Sequence, residues 1–199
     1  MGEGQIMVEY ANGATPLEYE EVKGLLPTHI TTREELDFLE MENINQAIIW
    51  SENLKNKDIL NMEFICRLHK KMFLNVWKWA GKFRKSNKNI GIPSIQIDVA
   101  LQTLCDDSEA WIEFNTYPPD EFAARFHHRL VFIHPFANGN GRHARLMADL
   151  ILEKIFTTKA FSWGGGSLTN QNKIRAKYIK ALKLADEQNY SPLLEFVRS

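Results

Sequence analysis

The chain has little that would tie it together covalently. Its 199 residues include two cysteines, Cys66 and Cys105. They stand far apart, in stretches that read as helical, so they fit reduced buried thiols better than a disulfide or a zinc pair. Long apolar runs are also missing: nothing approaches the ~20 residues of a membrane span, and no basic-then-apolar leader opens the sequence. A cytoplasmic protein with no membrane contact is the expectation. Charge of one sign is not in excess, since 24 Lys+Arg oppose 25 Asp+Glu for a net charge of −1. That leaves no basic footprint for nucleic acid. There is no internal repeat and no low-complexity stretch. His127, His128 and His134 lack acidic companions at a ligand spacing such as H-E-x-x-H, so His127 and His128 read as packing or hydrogen-bonding residues.

What is present suits one globular domain: 44% of residues are hydrophobic and 25% charged. Residues 1–30 carry Gly2, Gly4, Gly13, Pro16, Gly24 and Pro27 with little periodicity, and read as a loop-rich arm. Thr32 followed by Glu35 forms a capping-box pattern. Leu36, Leu39, Met41, Ile44, Ala47, Ile48 and Trp50 then give a helical stripe to about Asn53. Asn61 with Phe64, Ile65, Leu68, Met72 and Phe73 marks a second helix. Lys82 to Asp98 changes character, with isoleucines broken by Asn89, Gly91 and Pro93, and reads as a short irregular hairpin. Helices are predicted at about 99–115, 120–133, 140–157 and 170–187, with a short one closing the chain. Gly164-Gly165-Gly166 reads as a flexible break.

The chemistry concentrates in Ile133-His134-Pro135-Phe136-Ala137-Asn138-Gly139-Asn140-Gly141-Arg142-His143-Ala144-Arg145. Gly139-Asn140-Gly141 permits positive φ and turns backbone N–H groups toward one point. An apolar-patterned run follows, so these residues sit at a helix N-terminus, where unpaired N–H groups and the dipole favour an anion. Arg142 and Arg145, three apart, are expected to share a helix face and clamp phosphate oxygens. Two cations at that end oppose the macrodipole and call for a compensating anion, whether a nucleotide or a carboxylate of the chain itself. His134, with an ordinary pKa near ~6.5, is the proton acceptor for a hydroxyl nucleophile. Phe136 is expected in the core, anchoring the turn.

This run resembles the Fic motif, His-x-Phe-x-(Asp/Glu)-Gly-Asn-Gly-Arg-x-x-Arg, matched at His134, Phe136, Gly139, Asn140, Gly141, Arg142 and Arg145. The resemblance extends through Leu36 to Trp50, Trp77 to Arg84, Tyr117 to Asp120 and Pro192 to Ser199, and is similar to the Fic/Doc branch known as mobile mystery protein B. It implies an all-α, Fic-type helical domain with a small β-hairpin flap, over residues 31–199 with its core motif at 134–145. It implies ATP with Mg²⁺ or Mn²⁺ and transfer of AMP to a hydroxyl of a target protein. His134 is then the base; Gly139, Asn140, Gly141, Arg142 and Arg145 bind the nucleotide. Asn138 stands where the motif has an acid, so it is a weakened metal ligand. A Doc-type phosphotransferase, which carries Lys where this chain has Gly141, and a binding module with little turnover are the alternatives.

Two further expectations follow from the resemblance. Inhibitory helices of the family read (Ser/Thr)-x-x-x-Glu-(Gly/Asn). Phe38 to Glu42-Asn43 matches its end, and Ser191 to Glu195 its beginning; Glu42 pairing with Arg145 is the expectation chosen. The segment holding Lys82, Ile90, Gly91 and Ile92 lies where the family carries the flap that docks a target by strand pairing. A small regulatory or antitoxin protein as partner is implied by family analogy.

Overall fold

The structure, a computed structural model, describes residues 19–54, 58–165 and 171–199. Most of the sequence-read arm, residues 1–18, and Gly166 lie outside them. Eight α-helices run through the described residues: α1 (Tyr19–Val22), α2 (Arg33–Glu52), α3 (Met62–Phe73), α4 (Ile97–Glu113), α5 (Pro119–Ile133), α6 (Asn140–Leu150), α7 (Gln171–Asp186) and α8 (Ser191–Arg198). A 3₁₀ turn, Ser94–Gln96, leads into α4, and a π-helical stretch, Ile151–Ile155, continues α6. Strand-like pairing among the described residues is limited to two isolated bridges, Leu25 with Trp77 and Phe83 with Phe136. No helix of the described residues is long and apolar enough to cross a membrane.

The helix ends follow local chemistry. Thr32 caps α2 by accepting the Glu35 N–H, and the Glu35 carboxylate returns to the Thr32 N–H at 3.1 Å. Asn61 caps α3 by accepting the Phe64 N–H at 2.8 Å. Pro119 opens α5, where its missing N–H removes nothing. The core gathers Phe64, Leu68 and Met72 from α3, Leu101 and Leu104 from α4, Phe122 and Phe126 from α5, and Met147 from α6. Each such side chain contributes roughly 1.5–3 kcal/mol through burial. α5 and α6 pack against each other, which holds the short turn joining them against the core.

Two elements depart from the sequence reading. α2 buries Leu36, Glu40, Asn43, Ala47 and Ser51, whereas Met41, read as part of the core stripe, faces solvent with Phe38 and Ile49. Apolar residues occur all round this helix, so periodicity alone does not fix its phase. Polar contacts do: Glu40 meets Trp77 and Arg142, and the Asn43 amide oxygen accepts the Asn75 N–H at 3.2 Å. The second departure is the segment from Lys82 to Asp98, which forms no hairpin ladder of its own. A buried arginine, Arg84, takes up backbone carbonyls along this segment in place of a partner strand.

Candidate active site

The six residues from His134 to Gly139 connect α5 to α6. His134 is the C-cap of α5 and adopts left-handed geometry, φ 54° and ψ 60°, while its N–H still donates to the Leu130 carbonyl at 3.2 Å. That conformation is uncommon for a residue with a Cβ, and a following proline normally drives its predecessor to extended backbone. Arg84 holds the strained unit from outside. Its Nε donates to the His134 carbonyl at 2.7 Å, its Nη2 to the Ile92 carbonyl at 2.5 Å, and its backbone N–H to the Pro135 carbonyl at 2.9 Å.

Asn140 braces the same turn from inside. Its amide oxygen accepts the Phe136 N–H at 2.9 Å and its amide nitrogen donates to the Phe136 carbonyl at 2.8 Å. The buried Asn140 side chain is thus spent on the turn, and only its backbone remains for an anion. Phe136 is fully buried and stacks on the His69 ring with centroids 3.7 Å apart. His69 Nδ1 accepts the Gly81 N–H at 2.9 Å, so its Nε2 carries the proton and donates to the Asn138 carbonyl at 3.0 Å. Burial pushes the His69 pKa well below the usual imidazole range. This neutral, two-ended strut was not singled out from the sequence, where nothing sets His69 apart from any other apolar-face histidine.

Burial also lowers the pKa of His134, to about 4, with the Arg84 guanidinium acting in the same direction and a hydrogen bond with the Val131 backbone opposing. His134 is therefore neutral at physiological pH, the state a general base requires.

Gly139, the N-cap of α6, has φ 77°, and a Cβ there would stand 2.5 Å from the Phe73 ring. At Gly141 no heavy atom lies within 4 Å of a Cβ position, so the first turn of α6 presents open backbone. The two arginines diverge rather than clamping together. Arg142 Nη1 donates to Glu40 Oε2 at 2.7 Å, and the guanidinium sits 5.1 Å from the Phe73 ring centroid. Arg145 lies on the other side, over Tyr178 at 4.6 Å and Trp163 at 5.6 Å, with its Nε buried and unpartnered. Behind it, Asp149 accepts from Trp163 Nε1 at 3.0 Å, and His127 Nε2 meets the Tyr178 hydroxyl at 2.9 Å. His128 joins Asp186 and Tyr190 at 2.8 and 3.1 Å.

The carboxylate that answers a motif arginine is Glu40. Glu42, on which the sequence reading settled, is exposed on the outer side of α2, and Glu195 is exposed on α8. Glu40 is buried, with Oε1 accepting Trp77 Nε1 at 2.6 Å, so the bond to Arg142 completes its needs.

Asn138 Oδ1 accepts the adjacent Gly139 N–H at 2.6 Å. Its oxygen is engaged within the turn, and among the described residues no three His, Cys, Asp or Glu side chains converge as metal ligands. The residues present do not by themselves fit the divalent cation that the resemblance implies.

The flap residues divide. Gly91, at φ 88°, passes so close to His134 that a Cβ would stand 2.5 Å from the His134 Cβ. Ile92 is half-buried and offers its carbonyl to Arg84, whereas Lys82 and Ile90 are exposed. Two basic residues of this segment serve the fold: Arg84 is buried, and Lys88 pairs with Glu21.

The sequence model of the Fic/DOC family matches residues 59–152, which span α3 through α6 and the whole connecting turn. The chain carries a Fic/DOC family domain. It is 32% identical over 165 residues to the protein adenylyltransferases Fic of Drosophila sechellia and Drosophila melanogaster, covering 80% of this chain. It spans 30% of the length of those relatives. Among solved structures, Fic-1 from C. elegans superposes with a TM-score of 0.61 at 24% identity, over 88% of this chain and 50% of that one. BepC from Bartonella tribocorum, solved with bound AMPPNP, gives 0.67 at 16% identity, over 91% of this chain and 97% of that one. The fold of this Fic domain is thereby the fold of those proteins.

Proposed function

We propose that this Fic domain transfers AMP from ATP to a protein hydroxyl. The observation that carries the proposal is a neutral, buried His134 held at the head of a turn whose other end is the open N-terminus of α6. His134 removes the proton as the hydroxyl oxygen attacks the α-phosphorus. The bond to the β-phosphate oxygen breaks and pyrophosphate leaves. Gly139 and Gly141 let backbone N–H groups approach the phosphates, and Arg142 places positive charge beside them. The adenylyltransferase names of the Drosophila relatives support the same reaction. Phosphate charge is met by Arg142 and the N-terminus of α6, since the Asn138 amide, engaged with the Gly139 N–H, does not supply the carboxylate a divalent cation prefers. A small regulatory or antitoxin partner is an extension by family analogy.

Phosphotransfer is the second reading, and Gly141 speaks against it, since the branch that moves phosphate has Lys there. Incubation with ATP labelled at the α- or the γ-phosphate separates the readings. Protein-bound α-label supports AMP transfer, γ-label supports phosphotransfer, and binding without transfer of either label supports a module with little turnover.

A further inference from the structure

The outer side of α2 is unlike that of an ordinary surface helix. Phe38, Met41 and Ile49 are 61%, 54% and 60% exposed. They fall at i, i+3 and i+11, one stripe on a 3.6-residue period. The same helix turns Glu40, Asn43 and Ser51 into the protein. A surface helix normally does the reverse. The polar side is committed inward by the bonds to Trp77, Arg142 and Asn75, so the helix cannot roll to hide its apolar stripe.

Charge marks what covers the stripe. Arg33 is the single basic residue of α2, and it pairs with Asp37 at 2.8 Å. Glu34 lies one turn before Phe38, Glu52 lies just beyond Ile49, and Glu42 flanks the middle; all three are exposed. The apolar strip, about 16 Å long at 1.5 Å per residue, is thus bordered by carboxylates. No basic residue of α2 itself occupies its last turn; there Lys154 Nζ donates to the Glu52 carbonyl at 2.8 Å.

We propose that this face of α2 docks a partner α-helix whose apolar stripe is bordered by lysine and arginine. The face runs three turns, with Phe38 and Met41 at one end, Ile49 at the other and exposed Asn45 between them, and a helix laid along it packs against all three apolar residues. An extended peptide would find no sheet edge here. A second copy pairing through the same face would set carboxylates against carboxylates, and an anionic lipid surface would be repelled likewise. The partner's position is coupled to the site, because the opposite side of this helix carries Glu40 and through it Arg142.

The probe is a synthetic helical peptide of about 15–18 residues, long enough to hold helix, with a leucine stripe and Lys/Arg borders. Its twin carries Glu in place of each Lys and Arg. Calorimetric titration is expected to show saturable binding of the basic peptide and none of the twin. The double variant F38S/I49S should weaken the basic peptide at least ~10-fold, equivalent to about 1.4 kcal/mol, with circular dichroism unchanged. Should that variant not fold, M41S carries the same comparison. E42K/E52K should weaken binding and flatten its salt dependence. Equal binding of both peptides, or equal binding by wild type and F38S/I49S, overturns the proposal. So does sedimentation showing a wild-type dimer that F38S/I49S abolishes and the peptide leaves intact, which would make a second copy the occupant.

Discussion

Glu40 Oε2 and Arg142 Nη1 lie 2.7 Å apart across 102 residues of sequence, joining α2 to the first turn of α6. The carboxylate is buried and the guanidinium partly exposed, at 4% and 38% of side-chain surface. Such a bond orients the arginine more than it adds stability, because desolvating the carboxylate offsets much of the attraction. With Trp77 on its other oxygen, Glu40 has no freedom to follow Arg142 if the arginine moves.

Glu40→Gln therefore releases Arg142. The glutamine oxygen can keep the Trp77 N–H, and its amide N–H group then faces the guanidinium donors. A charge-assisted hydrogen bond is worth about 1.5–3 kcal/mol, so KM for ATP should rise roughly tenfold with a smaller change in kcat. A fall in KM would mean that Glu40 competes with the phosphates for the arginine. Glu42→Gly, on the outer side of the helix, should leave self-modification unchanged.

Replacing His134 with Ala should reduce transfer by ~10²–10⁴-fold while ATP still binds. The wild-type pH profile carries a second mark. With the His134 pKa lowered to about 4, the base is deprotonated across the neutral range. The acid limb of kcat/KM should then fall near pH 4–5. An inflection at the ordinary histidine value of ~6.5 would show that His134 is not held as described.

Gly91→Ala adds a methyl 2.5 Å from the His134 Cβ at a φ of 88°. Positive φ disfavours alanine at any spacing, so stability should drop by ~1–3 kcal/mol, read as a lower Tm. The same methyl pushes on the base, and kcat should fall more than ATP affinity does. Unchanged kcat in a folded variant would place the loop away from His134 in solution.

Stability should depend on pH with a definite sign. Burial lowers His127, His134 and His143 to about 3, 4 and 3, and lowers His69 strongly. The unfolded chain binds protons at these sites from ~6.5 downward, before the folded chain does. Their contribution is complete above that pH and is lost as pH falls toward 4 and 3, at about 1.4 kcal/mol per pH unit for each proton. Asp149, raised to about 6, acts oppositely: its contribution is present below ~4 and lost as pH rises through 6. Four histidines outweigh one carboxyl, so urea midpoints should decline from pH 6.5 to 4.5. A flat profile would contradict the neutral state of these rings.

Asn138→Asp restores the motif acid. Its carboxylate can keep the Gly139 N–H and still offer an oxygen to a hard cation. Mn²⁺ affinity in the presence of ATP, followed by electron paramagnetic resonance, should increase, and transfer with it. Unaltered metal affinity would mean that residue 138 does not face the phosphates.

The sequence carried the helix boundaries well, because caps and periods are local: Thr32 with Glu35 and Asn61 both mark real helix starts. The place of the turn was equally legible from Pro135 and Gly139, but the left-handed His134 was not, since a following proline favours extended backbone and the Arg84 contact that holds it is distant in sequence. What was not legible depended on distant partners. Glu40 and Glu42 differ by two positions on one helix, and only Trp77 and Arg142, far along the chain, decide which turns inward. Nothing in the sequence marks Arg84 as buried, because its acceptors are backbone carbonyls, which every sequence has. The isoleucine-rich segment suggested a hairpin from composition, yet strands need a paired edge, and a single arginine supplied the contacts instead.

The loop between Lys82 and Asp98 is divided like a hinged cover with a fixed hem and a loose fringe. Arg84 and Gly91 form the hem against His134, while Ile90 and Ile95 at the fringe stand 43% and 88% exposed. Variation at the fringe leaves the proton-accepting ring where it is. Exposed side chains of this loop can therefore change while its contacts with the His134 turn are kept.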